Sequence, residues 1–184
     1  MRRRLLSESA ERTFALGRSI GVLARPGLVV ALVGQLGAGK TLFTRGLHRG
    51  LGLRDDGWSG SPTFVLATRY SGSPSLLHAD LYRVSSPAEV ADLGIEDALG
   101  ERAVVVVEWA DRLPEALPSD RLTVRIEVLD EHRREVVLEA VGPVAEAVLA
   151  QSLPEDAAGG AESRDGTEPA PGSGLVTSEG ARWR

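Results

Sequence analysis

The stretch VVALVGQLGAGKTLF, from Val29 to Phe43, decides the fold that this sequence predicts. Residues 28–33 are apolar and rich in valine, which is typical of a strand buried inside a parallel sheet. Residues 34–41 then match the pattern G-x-x-x-x-G-K-[ST] at each fixed position. Residues 40–51 carry apolar side chains at helical spacing. The sequence therefore predicts a strand, a phosphate-binding loop and a helix in succession.

Each fixed residue of the loop has a chemical reason to be there. Gly34, Gly37 and Gly39 permit backbone angles and a close approach to phosphate that a Cβ atom would prevent. The loop N–H groups and the start of the helix then favour an anion. Lys40, the only lysine among 21 basic residues, is predicted to reach between the β- and γ-phosphates, where the broad guanidinium of arginine would not fit. Thr41 is predicted to place its hydroxyl on Mg²⁺.

Two carboxylates follow apolar strands elsewhere in the chain. Asp80 ends the segment LLHAD, and Glu108 follows four valines in VVVVEW. A nucleotide-Mg²⁺ site needs a carboxylate at the end of a neighbouring strand, and both acids are candidates. One would hold Mg²⁺, directly or through water, while the other would position the attacking water as a general base. The residues alone leave the division of these roles open.

The remaining segments alternate between helical and strand patterns. We predict helices over residues 7–23, 40–51 and 87–98, and strands over residues 28–33, 63–70, 76–80, 103–107, 122–129 and 135–141. Ser9 is a candidate cap for the first helix. Ser61 and Thr63 have hydroxyls that could sense a phosphate, but an ordinary strand that begins at a proline is the better interpretation. The three histidines are interpreted as packed or solvated. These elements give an α/β fold with a mixed sheet.

Composition excludes several classes of protein. The chain has 184 residues, a formal net charge of -5 and 42% hydrophobic residues, which suits one globular domain that does not coat nucleic acid. With no cysteine, the chain has neither disulfides nor a zinc-thiolate site. No apolar run approaches the roughly 18 residues of a membrane span. The segment LLSESAERTF is too polar for a signal peptide, so we expect a cytoplasmic protein without membrane contact.

Composition changes at about residue 150. Residues 151–184 are rich in glycine, alanine, serine, proline and acidic residues, and this composition predicts a disordered tail. We therefore expect one folded domain over residues 1–150.

Four segments together resemble one known family. GQLGAGKTLFTRGL, SPTFVLATRY, LLHADLYRV and VVVEWADRLP, in this order, are similar to the TsaE (YjeE) family, the ATPase of bacterial tRNA threonylcarbamoyladenosine biosynthesis. The resemblance covers about residues 7–140. It implies a P-loop ATPase domain whose fold is a P-loop NTPase-like three-layer sandwich with a mixed β-sheet. It also implies ATP hydrolysis that is weak in isolation and supports the transferase pair TsaD and TsaB, which attach threonylcarbamoyl to the adenosine beside the anticodon of ANN-decoding tRNAs.

The resemblance also assigns roles to residues. Lys40, Asp80 and Glu108 are the expected catalytic residues, and Thr41 and Glu108 are the expected Mg²⁺ ligands. The expected ATP contacts are Thr13 near the adenine, Leu36, Gly37, Ala38, Gly39, Lys40, Thr41, Leu42, Trp109 and Arg133. Arg133 is included, as its neighbour Arg134 could be, only because both lie in the last predicted hairpin turn. Gln35 stands where the family usually has an acid, which removes a negative charge near the site.

Other functions fit the sequence less well. A P-loop small-molecule kinase is the main alternative, but the segment DGWSGS is too short for the arginine-rich lid that a kinase needs. A GTPase would need an Asn-Lys-x-Asp motif to read guanine, and the only lysine already belongs to the loop. A binding domain with a vestigial loop would not need its lysine, threonine and two acids intact. We expect a protein that is monomeric alone and that meets tRNA only through its partners.

Overall fold

The computed structural model describes residues 1–152, so the predicted tail lies outside the described residues from residue 153 onward. Within residues 1–152 the chain forms seven strands and five α-helices. The strands are β1 (Arg2–Ser7), β2 (Val29–Val33), β3 (Ala67–Tyr70), β4 (Leu76–Asp80), β5 (Val104–Glu108), β6 (Arg121–Val128) and β7 (Arg134–Val141). The helices are α1 (Ala10–Leu23), α2 (Lys40–Gly50), α3 (Pro87–Ala91), α4 (Ile95–Gly100) and α5 (Pro143–Ser152). Short 3-10 turns occupy Asp55–Gly57, Ala110–Arg112 and Pro114–Ala116.

The strands form one mixed sheet in the order β1-β7-β6-β2-β5-β4-β3. The four strands β6, β2, β5 and β4 are parallel, whereas β1, β7 and β3 pair antiparallel with their neighbours. Parallel strands bring their carboxyl ends to one edge of the sheet. Leu32 lies opposite Glu108, and Glu108 lies opposite Asp80, so both acids stand at the edge where β2 runs into the glycine loop. The predicted mixed sheet and the predicted position of the acids are confirmed.

Helices cover both faces of the sheet. Val30 and Leu32 of β2 face one apolar cluster, to which α1, α2 and α5 contribute Ile20, Phe43, Leu47, Val148 and Leu149. Val29, Ala31 and Val33 face the other cluster, to which α3 and α4 contribute Val90, Ile95 and Ala98. Because β2 and β5 are buried on both faces, they read as continuous apolar runs in the sequence. The predicted three-layer sandwich is confirmed.

Helices α1 and α2 touch backbone to backbone through glycines. A Cβ atom on Gly17 would lie 2.1 Å from the carbonyl oxygen of Phe43, and one on Gly46 would lie 2.1 Å from that of Phe14. Gly21 and Gly50 are equally close to the facing helix. Each helix thus carries a G-x-x-x-G pair that lets the axes approach closely. This contact sets α1 against α2, the helix that begins at the phosphate-binding loop.

The start of the chain differs from the prediction. The first helix begins at Ala10 and not at residue 7, although Ser9 caps it as predicted by accepting from the Arg12 N–H at 3.2 Å. Residues before it form β1, an edge strand that was not predicted. Arg2 and Arg4 share its exposed face and pair with Glu139 and Glu135 of β7. Charges on an edge strand hide the apolar alternation that normally predicts a strand.

Three further elements differ from the prediction. Residues 63–66 form a turn instead of the first half of a strand, and β3 begins only at Ala67. The helix predicted over residues 87–98 is broken at Gly94, whose φ of 72° lies in the left-handed region. Helix α5 was not predicted. It begins at Pro143, and its first free N–H groups, on Val144 and Ala145, donate to the side chain of Asp120. A cap that lies 24 residues away in sequence leaves no local signal.

Among residues 1–152, no helix is both long enough and apolar enough to span a bilayer.

Candidate active site

The loop between β2 and α2 has the backbone that the sequence pattern predicts. Gly34, Gly37 and Gly39 have φ values of 154°, 76° and 113°, which side chains with a Cβ atom rarely adopt. A Cβ on Gly34 would also lie 2.5 Å from the carbonyl oxygen of Ile126. No side chain caps the start of α2. Because the first N–H groups of a helix have no partner inside it, they are available to an anion at this loop.

Lys40 is folded back over the loop. Its side chain is almost fully buried, at 4% exposure for the residue, and Nζ donates to the carbonyl oxygens of Gly34 and Gln35 at 2.7 and 2.9 Å. Nζ also lies 3.7 Å from the centre of the Trp109 ring, which is a cation-π distance. The ammonium is therefore fixed at the glycine loop by two carbonyls and one aromatic face.

Nearby acids partly oppose the effect of burial on the pKa of Lys40. Burial lowers the pKa of Lys40 because a buried ammonium loses its hydration. Glu108, Asp80 and Asp111 act in the opposite direction, in that order of strength. The two predicted acids are thus close enough to Lys40 to influence its charge.

Thr41 and Glu108 are directly joined. The Thr41 hydroxyl donates to Oε2 of Glu108 at 3.0 Å, while Oε1 of Glu108 lies 2.9 Å from Nε2 of His78. Glu108 and His78 are both buried. Carboxylate and hydroxyl oxygens are the ligands that Mg²⁺ prefers. The two residues expected to bind Mg²⁺ therefore lie together at the mouth of the loop.

Asp80 holds a neighbouring segment in place. Its Oδ2 atom accepts from the hydroxyl of Ser61 and, at 2.6 Å, from the hydroxyl of Thr63, while Oδ1 accepts from the N–H of Tyr82 at 2.8 Å. These bonds curl residues 61–66 into a turn beside the site. The interpretation of Ser61 and Thr63 as the start of an ordinary strand is wrong, because their hydroxyls bond to a buried carboxylate instead of standing on a pleated surface.

Trp109 has an unusual backbone. Its φ of 57° is left-handed, which is uncommon for a bulky residue and marks a constrained position. This turn at the end of β5 directs the ring over Lys40 and to within 4.9 Å of the Tyr82 ring. Trp109 also lines a cavity of about 510 Å³ together with Gly34 and Gln35.

A second cavity, of about 330 Å³, lies on the other side of the loop. Its walls include Thr13, residues 37–39, Leu42, His132 and Arg134. The Thr13 side chain is buried, with its hydroxyl 2.8 Å from that of Ser7, and its methyl group would lie 3.4 Å from a Cβ on Gly39. Thr13, the residue that the resemblance places near the adenine, thus lines this cavity.

The predicted site residues separate into three groups. One group meets at the carboxyl edge of the sheet: Lys40, Thr41, Asp80, Glu108 and Trp109. A second group lines the 330 Å³ cavity: Thr13, Gly37, Ala38, Gly39 and Leu42. The remaining two residues line neither cavity. Leu36 belongs to the glycine loop and is 83% exposed, and the Arg133 guanidinium donates to Asp130 at 2.6 Å, whereas Arg134, from the same predicted turn, lines the 330 Å³ cavity.

Sequence analysis missed the contact of His78 with Glu108. The signal for it is the spacing H-x-D at the end of β4, because residues two apart in a strand share one face. His78 and Asp80 therefore face α2 together, and Asp80 is paired in register with Glu108. Among the described residues, no group of three or more His, Cys, Asp or Glu side chains forms a metal cage. Mg²⁺ bound with a nucleotide needs only one or two protein ligands besides phosphates and water.

Comparisons with known proteins agree on one family. The family model described as threonylcarbamoyl adenosine biosynthesis protein TsaE matches residues 7–136. The TsaE protein of Treponema pallidum is 38% identical over 135 residues, which cover 73% of this chain and 98% of that protein. The TsaE protein of Streptomyces coelicolor is 46% identical over 116 residues, which cover 61% of this chain and 76% of that protein.

A solved structure matches the fold as well. The crystal structure of Bacillus subtilis YdiB superimposes with a TM-score of 0.70 at 31% identity, covering 83% of this chain and 94% of that one. The sequence match, the shared fold and the P-loop geometry support the same conclusion: the chain belongs to the TsaE family, whose members take part in tRNA threonylcarbamoyladenosine biosynthesis.

Proposed function

We propose that this protein is a Mg²⁺-dependent ATPase that supports the TsaD–TsaB transferase in forming threonylcarbamoyladenosine beside the anticodon of ANN-decoding tRNAs. The observation that carries the proposal is the hydrogen bond between Thr41 and Glu108, 3.0 Å long, directly beside the glycine loop. It brings a hydroxyl and a carboxylate to the place where a nucleotide on this loop would need a metal ion. Family membership supplies the pathway.

The residues present fit a nucleotide with Mg²⁺. The glycine loop and the uncapped start of α2 offer N–H groups to phosphates, and Thr41 and Glu108 would hold the metal. When bound, Mg²⁺ neutralises the charge that develops on the phosphates. An ammonium has three N–H donors, and the loop carbonyls take two from Lys40. We expect the third to donate to a phosphate oxygen.

Asp80 and Glu108 have different surroundings, which suggests a division of roles. Glu108 is bonded to Thr41 and is the better placed to act with the metal. The Asp80 carboxylate already accepts three hydrogen bonds and holds Ser61 and Thr63 at the site. We propose that Asp80 orients this segment against the phosphates, so that its hydroxyls and the carboxylate together position the attacking water.

Exposed apolar side chains next to the site support a partner-dependent reaction. Leu36 of the loop, and Phe64 and Val65 of the turn held by Asp80, are 83%, 87% and 70% exposed. Large apolar side chains grouped on functional loops are typical of protein-binding surfaces. We propose that TsaD–TsaB contacts these segments, and that an acidic protein with a net charge of -5 meets tRNA only within that cytoplasmic complex.

The pathway is tested in a strain depleted of this protein. Threonylcarbamoyladenosine in its tRNA should fall, as measured by nucleoside mass spectrometry, and the full-length chain should restore it while Lys40→Ala does not. Normal modification in the depleted strain would refute the pathway assignment. With purified protein, Mg²⁺-dependent release of inorganic phosphate from ATP is expected. Transfer of the γ-phosphate to a small molecule would instead favour a kinase.

A further inference from the structure

We propose that His78 is a positioning residue of this site, which donates from Nε2 to Glu108 and fixes the orientation of that carboxylate toward Thr41. The inference rests on the proposed function, because it concerns the carboxylate that would act with Mg²⁺. The residue was not among those expected in the site. Its role follows from the geometry around Glu108, from the two nitrogen atoms of its ring and from the side chain that stacks on it.

The Glu108 carboxylate is held at both oxygen atoms. Oε2 accepts from the Thr41 hydroxyl at 3.0 Å, and Oε1 is 2.9 Å from His78 Nε2. Glu108 is only 2% exposed, and His78 is fully buried. A buried carboxylate needs donors on its free lone pairs. Without the bond from His78, the carboxylate would lose one of its two donors and could rotate away from Thr41.

The ring nitrogens of His78 show where its proton lies. The other nitrogen, Nδ1, is buried and has no hydrogen-bond partner in residues 1–152. A proton on Nδ1 would be a buried donor without an acceptor, which is costly. The tautomer with its N–H at Nε2 therefore fits both nitrogen atoms, because it points the donor at Glu108 and leaves no donor at Nδ1. This places the hydrogen-bond donor on the histidine and the acceptor on the carboxylate.

An aromatic ring fixes the plane of the imidazole. The Trp58 ring stacks on His78 with 5.6 Å between centroids and 10° between planes. Trp58 also stacks on Tyr70 at 5.6 Å and 21°. Because the imidazole lies against this stack, turning its ring would break the aromatic contact as well as the hydrogen bond. Trp58, in the segment after the 3-10 turn Asp55–Gly57, thus helps to orient Glu108 through His78.

Removing a hydrogen bond that orients a metal-binding side chain typically lowers metal affinity or activity by about 10- to 100-fold. We expect His78→Leu to raise the Mg²⁺ concentration needed for half-maximal ATP hydrolysis by this factor. His78→Gln should bring this Mg²⁺ concentration back toward that of the parent, because the glutamine amide can donate from near the Nε2 position. ATP binding in EDTA should be the same in all three proteins.

The matched control is His48→Leu. His48 is also fully buried and packs on the same aromatic rings, 5.1 Å from Trp58 and 4.8 Å from Tyr70. It makes no hydrogen bond to Glu108 in the described part of the chain. The control variant should therefore lose packing as His78→Leu does, yet keep the parent's Mg²⁺ dependence.

A second measurement needs neither nucleotide nor a variant. Long-range ¹H–¹⁵N spectra of the full-length protein should show His78 with a protonated Nε2 and a bare Nδ1. Protonation at Nδ1 overturns the proposal. So does a folded His78→Leu protein with the parent's Mg²⁺ dependence, since His78 would then serve packing alone. If the parent binds no ATP, the proposed ATPase function fails, while the nitrogen spectrum still decides whether His78 donates to Glu108.

Discussion

The hydroxyl of Thr41 donates to Oε2 of Glu108 over 3.0 Å and joins the first turn of α2 to the last residue of β5. The two residues are 67 positions apart in the sequence. They meet because β2 and β5 are parallel neighbours, so the loop after β2 and the end of β5 share one edge of the sheet. In the proposed ATPase, this pair provides a hydroxyl and a carboxylate for one metal ion.

Thr41→Val should lower Mg²⁺-dependent ATP hydrolysis by about 10- to 100-fold, because the variant keeps the shape of threonine but removes the hydroxyl that lies between the loop and Glu108. Thr41→Ser should retain most of the rate, since serine keeps the oxygen. Phosphate release at saturating ATP, measured across a series of Mg²⁺ concentrations, is the test.

The control is Thr44→Val, one turn further along α2. The Thr44 hydroxyl is buried and donates to the carbonyl oxygen of Lys40 at 3.0 Å, away from Glu108. This variant should lose some stability and keep its Mg²⁺ dependence. Equal rates for Thr41→Val and the parent would remove Thr41 from the metal site.

Lys40→Arg should weaken ATP binding by about 10- to 100-fold, the amount expected when a charged hydrogen bond is lost. Nζ fits between two loop carbonyls at 2.7 and 2.9 Å and beneath the Trp109 ring, and a planar guanidinium is too wide for this space. Titration calorimetry with ATP measures the change. Arg45→Lys makes the reverse exchange on an exposed position of the same helix and should bind ATP as the parent does.

Gly17→Ala should reduce the free energy of unfolding by about 2 to 3 kcal/mol, as overpacking does when a new methyl group meets a fixed neighbour. The new Cβ atom would lie 2.1 Å from the carbonyl oxygen of Phe43, so α1 and α2 would have to move apart. Gly46→Ala should have the same effect from the opposite helix. Urea unfolding followed by circular dichroism gives the difference.

The matched control for the glycine variants is Gly100→Ala in α4. A Cβ atom there would meet nothing within 4 Å. Because alanine favours the helix more than glycine does, this variant should be unchanged or more stable by about 0.5 to 1 kcal/mol. If Gly17→Ala were as stable as Gly100→Ala, the close helix contact would not exist in solution.

Local patterns were enough to predict the part of the site that the loop carries. The match over residues 34–41 predicted a strand, a glycine loop and a helix, and apolar strands ending in Asp80 and Glu108 predicted the acidic edge. These features succeed because each is encoded by neighbours in the sequence. The parallel pairing of β2, β5 and β4 then brings the loop and the two acids to the same edge of the sheet.

Apart from the helix break at Gly94, which a local glycine causes, the features that sequence analysis missed depend on distant residues. His78 is within hydrogen-bonding distance of Glu108 only when β4 and β5 are paired, and residues 63–66 form a turn beside Asp80 only because that carboxylate is buried nearby. Strand β1 depends on its charge pairs with β7. A single sequence shows where apolar and polar residues alternate, but it does not show which side chains on neighbouring strands will form hydrogen bonds or ion pairs.

His48 should make the protein less stable below about pH 6.5, the ordinary pKa of histidine. Burial lowers the pKa of His48 in the folded protein. The carboxylate of Asp55, 3.9 Å from Nδ1 of His48, raises the pKa, but the effect of burial is larger. The charges of Arg49, His78 and Arg45 lower the pKa further. Just below this pH, His48 binds a proton in the unfolded chain, whereas in the folded protein it stays neutral until the pH is lower. The free energy of unfolding should therefore fall with pH, by at most about 1.4 kcal/mol per pH unit.

Urea unfolding of the parent and of His48→Phe at pH 7.5 and pH 5.5 tests this expectation. Phenylalanine keeps the packing against Trp58 but has no group that titrates, so the parent should lose more stability than the variant between the two pH values. Asp130 does not confuse the comparison, because hydrogen bonds from the Arg133 and His132 backbone and from the Arg133 side chain lower its pKa to about 2. Equal losses in both proteins would mean that His48 is as easily protonated when folded as when unfolded.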